Sequence, residues 1–299
     1  MSKIFRYSIL GILSGLLVWV YSGCDILCPE QFKVITDTIF TDTISDASDT
    51  CAFISVGNLE MPAIGKNDEV ILHTGFSLLF NDAHKQADWV AYMLTAERTI
   101  PVVSRVNKFI PDPAVKTGTA VDADYLNSGF DRGHLAPCAD MRWSQQAMEE
   151  SFYFSNVSPQ VPALNQVTWA KLEALVRLWA KEYDTLYIAT GPVLRDGLPS
   201  IADMISEDKK GKYKPKNRVS VPEYYYKVIL NYTSKEIKGI GFIVPNKAGL
   251  GQAIPTIQSY AVTIDSVQNF TGINFFYQLP KAQEQHAEKN ICISCWTWK

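Results

Sequence analysis

The feature that most limits what this chain can fold into is the run Asn165–Tyr183. Trp169, Leu172, Leu175, Val176 and Trp179 recur there at steps of three and four, the spacing of one face of an α-helix. Such a face needs a second layer to cover it. Strand-like segments are available on both sides of it. Phe76–Phe80 and Trp89–Thr95 flank the turn-rich Asn81–His84, and Leu186–Thr190 is an apolar run closed by Gly191 and Pro192. Tyr224–Tyr232 and Ile237–Val244 read as a strand pair. Ser144–Phe154 fits a short helix capped by Ser144, and Arg105–Val115 holds Pro111 and Pro113 and reads as loop. Helices and strands do not alternate regularly, so the expected class is α+β around a mainly antiparallel sheet flanked by helices.

With 299 residues, 47% hydrophobic and 20% charged, the chain has room for one sizeable catalytic domain. A net charge of −3 argues against coating DNA over a broad surface, and leaves open a local basic cleft.

The N-terminus reads differently. Lys3 and Arg6 precede the apolar run Ile9–Val20, which is too short for a good membrane span and suits a signal-peptide core. Tyr21-Ser22-Gly23-Cys24 resembles a bacterial lipoprotein cleavage box, although Tyr21 stands where an aliphatic residue is usual. That resemblance implies a signal peptide over 1–23, a lipid on Cys24 and an exported protein of the cell envelope. An ordinary secretory peptide or uncleaved anchor is the plainer alternative. Residues 24–57 carry a crude Thr-Asp-Thr-Ile repeat and the unpaired charges Asp37, Asp42, Asp46 and Asp49, and read as a flexible tether. The main domain is expected over 58–285, and 286–299 form a tail. Cys292 and Cys295 in that tail suit a local disulfide better than a metal site, whereas Cys138 suits a small buried residue.

The chemistry concentrates in Gly129-Phe-Asp-Arg-Gly-His-Leu-Ala-Pro137. His134 is one of four histidines, and an imidazole titrates near neutrality, so it can take a proton from water and return it. Arg132 offers donors suited to phosphate oxygens. On these residues alone a structural histidine is the commoner case.

The surrounding blocks shift that balance. Ser155-Asn-Val-Ser-Pro-Gln160, Leu164-Asn-Gln166, Trp169 and Leu172-Glu173 follow the motif in order. Ser104–Pro113 precedes it, and Thr190-Gly-Pro192, Val221-Pro222, Tyr226-Lys227, Val244-Pro-Asn246 and Thr271-Gly272 lie downstream. Over roughly residues 75–280 the chain resembles the DNA/RNA non-specific endonuclease family, with Phe130 where Tyr and Cys138 where Ala are more usual.

The resemblance implies a ββα-metal, or His–metal finger, nuclease fold and metal-dependent cleavage of DNA and RNA with little sequence or sugar preference. It implies His134 as general base, Asn165 as the one direct protein ligand of Mg2+ (or Mn2+), and Glu173 as holder of metal-bound water. Arg105 and Arg132 would bind phosphate, and Asp131 would orient Arg132 or its loop. Eight residues of ideal helix rise ~12 Å. Asn165 is therefore expected at or before the helix cap, with Glu173 acting through water.

Two other readings fit part of the sequence. One is an envelope lipoprotein that binds nucleic acid without cutting it, and the other a phosphodiesterase acting on small diesters. The basic run Lys209, Lys210, Lys212, Lys214, Lys216 and Arg218 is either a backbone grip or a solvated loop. His73, His84 and His286 read as structural or surface residues, and Trp296 and Trp298 carry no role that the sequence supplies.

Overall fold

The computed structural model describes residues 55–205 and 215–299. The signal segment, most of the tether and Lys209–Lys214 of the basic run lie outside the described residues.

A seven-stranded antiparallel sheet organises the domain, in the order β1-β2-β3-β6-β7-β8-β9. The strands are β1 (Val70–Leu72), β2 (Ser77–Asn81), β3 (Gln86–Thr95), β6 (Thr185–Pro192), β7 (Tyr224–Tyr232), β8 (Ile237–Pro245) and β9 (Ala261–Val262). The expected α+β class and the expected pairing of Tyr224–Tyr232 with Ile237–Val244 both hold, with Tyr224 opposite Pro245 and Tyr232 opposite Ile237.

The central strands are apolar at nearly every position because both faces of the sheet are covered. Side chains of a strand alternate between faces, and β7 shows it directly. Tyr225 and Ile229 join the core beneath the long helix, whereas Tyr226, Val228 and Leu230 join the core on the opposite face, with Ile264, Val267, Phe275 and Phe276.

The helix α3 (Ala170–Tyr183) covers the first face, and the stripe Trp169, Leu172, Leu175, Val176 and Trp179 is buried as its periodicity requires. Each such side chain contributes roughly 1.5–3 kcal/mol through burial. The helix begins irregularly. Leu164–Trp169 form a wide π-helical turn that runs straight into α3, so Asn165 sits inside the helical segment rather than at or before its cap. π-helical turns of this kind are frequent at functional sites.

A separate two-stranded sheet, β4 (Asp131–His134) with β5 (Val157–Gln160), precedes this helix in sequence. The strand β4, the strand β5 and the helix that follows make the expected ββα unit. The short helix α1 (Asp122–Tyr125) precedes β4, and between the two strands lies α2 (Gln145–Glu150), whose N-cap Ser144 accepts from the Ala147 amide.

The tail packs against α3 where the helix meets the sheet. Cys292 and Cys295 are disulfide-bonded, as their spacing suggests. Beyond them the Trp296 and Trp298 rings pack on Trp179, with ring centroids 4.7 Å and 5.2 Å away. Trp179 Nε1 donates to the Thr297 carbonyl, and Thr297 N donates to the Tyr183 hydroxyl.

Candidate active site

The motif residues are held by the register of β4 against β5, in which Asp131 faces Gln160 and His134 faces Val157. Gly133 is required by close approach. A Cβ there would lie 2.4 Å from Gln160 Cδ and Oε1. The turn after His134 is tied by Asn156, whose side chain accepts from Ala136 N at 2.8 Å and donates to Ala136 O and Ser151 O at 2.9 Å.

His134 sits between two rings. Phe109 lies 5.3 Å away and Phe152 4.8 Å away, the latter edge-on. Its Nε2 is buried and has no hydrogen-bond partner among the described residues. Burial pushes the imidazole down to about 3, and the positive charge of Arg105 acts in the same direction. The ring is therefore neutral, with a nitrogen lone pair available, at any ordinary pH.

An open cleft of about 380 Å³ lies beside it, lined by Arg105, Phe109, Asp131, Arg132 and Asn165 among others. His134 adjoins this cleft through Phe109, which also lies under the Arg132 guanidinium at 5.1 Å. Arg132 Nη1 is paired with Asp122 Oδ1 at 2.6 Å, and both side chains are exposed. Arg105 stands over the Phe152 ring at 5.3 Å, and its Nε donates to Asn107 Oδ1 at 3.1 Å.

Asp131 does not orient Arg132. Its Oδ2 accepts from Asn165 Nδ2 and from Gln166 Nε2, each at 2.8 Å. The acid of the motif thus fixes the start of the helix to the strand that carries His134. Its partners are on the helix because Arg132, the next residue along a strand, points to the other face.

Glu173 is half-buried and does not line the cleft. Its i,i+4 neighbour Arg177 turns instead to the buried Asp140, at 2.9 Å, and Tyr92 OH donates to the other oxygen of the same carboxylate. Burial raises the Glu173 carboxyl to about 7. Asp140 adds to the rise, and Lys227, Arg177 and Arg105 oppose it. Lys227 is fully buried, and its Nζ has no hydrogen-bond partner among the described residues and lies 5.1 Å from the Trp169 ring centroid. Burial lowers its pKa against the pull of Glu173.

Asp140, Arg177, Lys227 and Phe152 were not singled out from sequence as parts of the site. A lone lysine within the apolar strand Tyr224–Tyr232 was the one signal that could have drawn notice to Lys227. Of the basic run, Arg218 pairs with Asp203 at 2.7 Å. His73 pairs with the buried Asp112 at 2.8 Å and His84 with Ser220, both structural contacts.

The donor set decides which cation would fit. Among the described residues no three His, Cys, Asp or Glu side chains cluster to hold a metal ion. Asn165 commits its nitrogen to Asp131, which leaves Oδ1 to accept. One amide oxygen with the Asp131 carboxylate beside it suits a hard cation that keeps most of its waters, and does not suit zinc, which takes several His, Cys or carboxylate ligands.

Comparison with known proteins identifies the family. The family model described as DNA/RNA non-specific endonuclease matches residues 58–282. Mitochondrial endonuclease G of Homo sapiens is 37% identical over 203 residues, which is 67% of this chain and 67% of that protein. Nuclease C1 of Cunninghamella echinulata var. echinulata is 35% identical over 218 residues, 68% of this chain and 81% of that protein. A chain from the crystal structure of the EndoG/EndoGI complex matches with a TM-score of 0.61 at 29% identity, over 75% of this chain and 90% of that one. The chain spans about half to two thirds of the length of the mitochondrial relatives that match first.

Proposed function

The chain belongs to the DNA/RNA non-specific endonuclease family, and from that premise we propose that it hydrolyses phosphodiester bonds of DNA and RNA at the cleft beside His134, with a divalent cation, Mg2+ in the first place. The observation that carries this reading is the bond from Asn165 Nδ2 to Asp131 Oδ2. It binds an amide oxygen donor to the strand of a neutral, unpartnered imidazole, with two guanidinium groups on the same cleft.

His134 is the general base. Its neutral ring takes a proton from the attacking water and is not already protonated at working pH. Arg105 and Arg132 bind the phosphate. The Arg132–Asp122 pair is exposed, and such pairs are worth only ~0–1 kcal/mol, so a phosphate oxygen displaces Asp122 at little cost. Asn165 Oδ1 would hold the cation directly and Glu173 would hold it through water. When bound, the cation supplies charge stabilisation at the phosphate and the leaving 3′-oxygen.

The test is nicking of plasmid and cleavage of RNA with Mg2+, with chelator, and by His134→Ala. Both the chelated protein and the variant should leave substrate intact. Cleavage by the folded variant at the parent rate would sink the assignment. We also place the protein in the cell envelope on the strength of residues 1–24, by a lipid on Cys24. Loss of membrane association in Cys24→Ser tests that part separately.

A further inference from the structure

Arg105 lies on a segment with no regular secondary structure, yet the reading above needs it at a fixed place beside His134. A guanidinium is usually fixed by a carboxylate, as Arg132 is by Asp122. Arg105 has no such partner among the described residues. Its side chain bonds only Asn107, a neighbour on the same segment, and rests on the Phe152 ring. Its position is therefore set by where the backbone runs.

One residue holds that backbone just upstream. Val102 N and Val103 N both donate to the Arg142 carbonyl, at 2.8 Å and 3.0 Å, and Arg142 Nε donates back to Val103 O at 2.9 Å. Downstream the segment is held again where Ile110 N donates to Phe152 O and Phe154 N donates to Ile110 O. Between these ties Val103, Val106 and Phe109 pack against Cys138, Met148 and Phe152. Arg105 thus sits two residues from one anchor and five from the other.

Arg142 itself is half-buried, and no carboxylate pairs with it among the described residues. Its guanidinium goes into a charge-assisted hydrogen bond to the neutral Val103 carbonyl. Arg142 also follows directly on the Cys138–Asp140 turn, on the chain that leaves His134. The same stretch of backbone therefore carries the imidazole at one end and the clasp on the Arg105 segment at the other.

We propose that the Arg142 side chain is a positioning group that acts through Arg105, by donating to the Val103 carbonyl so that the Arg105 guanidinium stays over Phe152 beside His134. This rests on the reading that Arg105 binds the phosphate. Misplacing a substrate-binding group by about 1 Å costs up to ~100-fold in rate.

The experiment is a double-mutant cycle with Arg105→Ala and Arg142→Met, assayed for kcat and KM on duplex DNA, with thermal unfolding as a check of the fold. Arg142→Met alone should lower kcat roughly ten-fold, with KM within about two-fold. In the Arg105→Ala background it should change kcat less than about two-fold. Arg142→Gln keeps an N–H donor without the charge and should recover most of the loss. It also serves if the methionine variant does not fold. Multiplicative losses, or a glutamine variant as poor as the methionine one, would mean that Arg142 meets the nucleic acid itself, and would overturn the proposal. If Arg105→Ala cuts at the parent rate, the phosphate role of Arg105 fails and the proposal falls with it.

Discussion

Asn165 and Asp131 are joined by a 2.8 Å hydrogen bond from the amide nitrogen to the carboxylate, so the helix that begins at Leu164 and the strand that ends at His134 share one fixed point. A ligand whose orientation is set by such a partner loses roughly 10–100-fold in metal affinity when the partner is removed. Asp131→Ala should raise the Mg2+ concentration for half-maximal cleavage by that factor, and the rate at saturating cation should largely recover. An unchanged cation requirement would show that Asn165 is held by other means.

The pH profile separates the carboxylate from the imidazole. Glu173 is raised to about 7, so its ionised form is gained as pH rises through that value, whereas His134 stays neutral down to about 3. Activity should climb between roughly pH 6 and 8. The midpoint should move to lower pH as Mg2+ increases, because the cation favours the deprotonated acid. Glu173→Gln should be slower and lack this limb. A limb that survives the substitution would belong to the imidazole.

A second acid affects stability alone. Glu288, on the helix Lys281–Lys289, is raised to about 7 by burial and by Glu284. Its folded pKa lies above the ordinary 4.5, so the folded state binds the proton more tightly than the unfolded chain. Stability is therefore lost as pH rises from about 4.5 to 7. Glu288→Gln should raise the unfolding midpoint at pH 8 by a few degrees. At pH 4 it should have no effect. An equal gain at both pH values would point to packing rather than charge.

The buried Gln160 side chain lies so close over Gly133 that Gly133→Ala must displace it from between the two motif strands. The expected result is a folded protein with at least a ten-fold loss of activity, since misplacements of about 1 Å have that cost. The double substitution with Gln160→Ala should regain part of it. A single variant as active as the parent would show that the strand pair has slack.

What could be read from sequence was local. Helical periodicity over Asn165–Tyr183 and apolar strands around it were enough for the class and for the strand pairing. His134, Arg132 and Asn165 stand within blocks whose order alone brings them to one unit. What escaped depends on contacts between distant positions. The sequence leaves Asp131 to orient Arg132 or the loop around it, and the carboxylate bonds Asn165, 34 residues away. Lys227 lies opposite Trp169 only because β7 passes beneath α3. The clasp of Arg142 on Val103 spans 39 residues and uses backbone groups that every residue has, so no residue type announces it. The π-helical turn at Asn165 likewise has no composition of its own.

The docking of Trp296 and Trp298 on Trp179 has a consequence for the order of assembly. Trp179 Nε1 meets a carbonyl 118 positions later. As the polypeptide leaves the ribosome, the part of Trp179 that the tail covers stays bare until those aromatic rings have emerged. For that interval Trp179 is an exposed sticky surface on an otherwise finished sheet, the sort of patch on which chaperones act and nascent chains clump. Shortening the tail would make this interval permanent, and the yield of soluble protein, rather than the turnover of the molecules that survive, would register the loss.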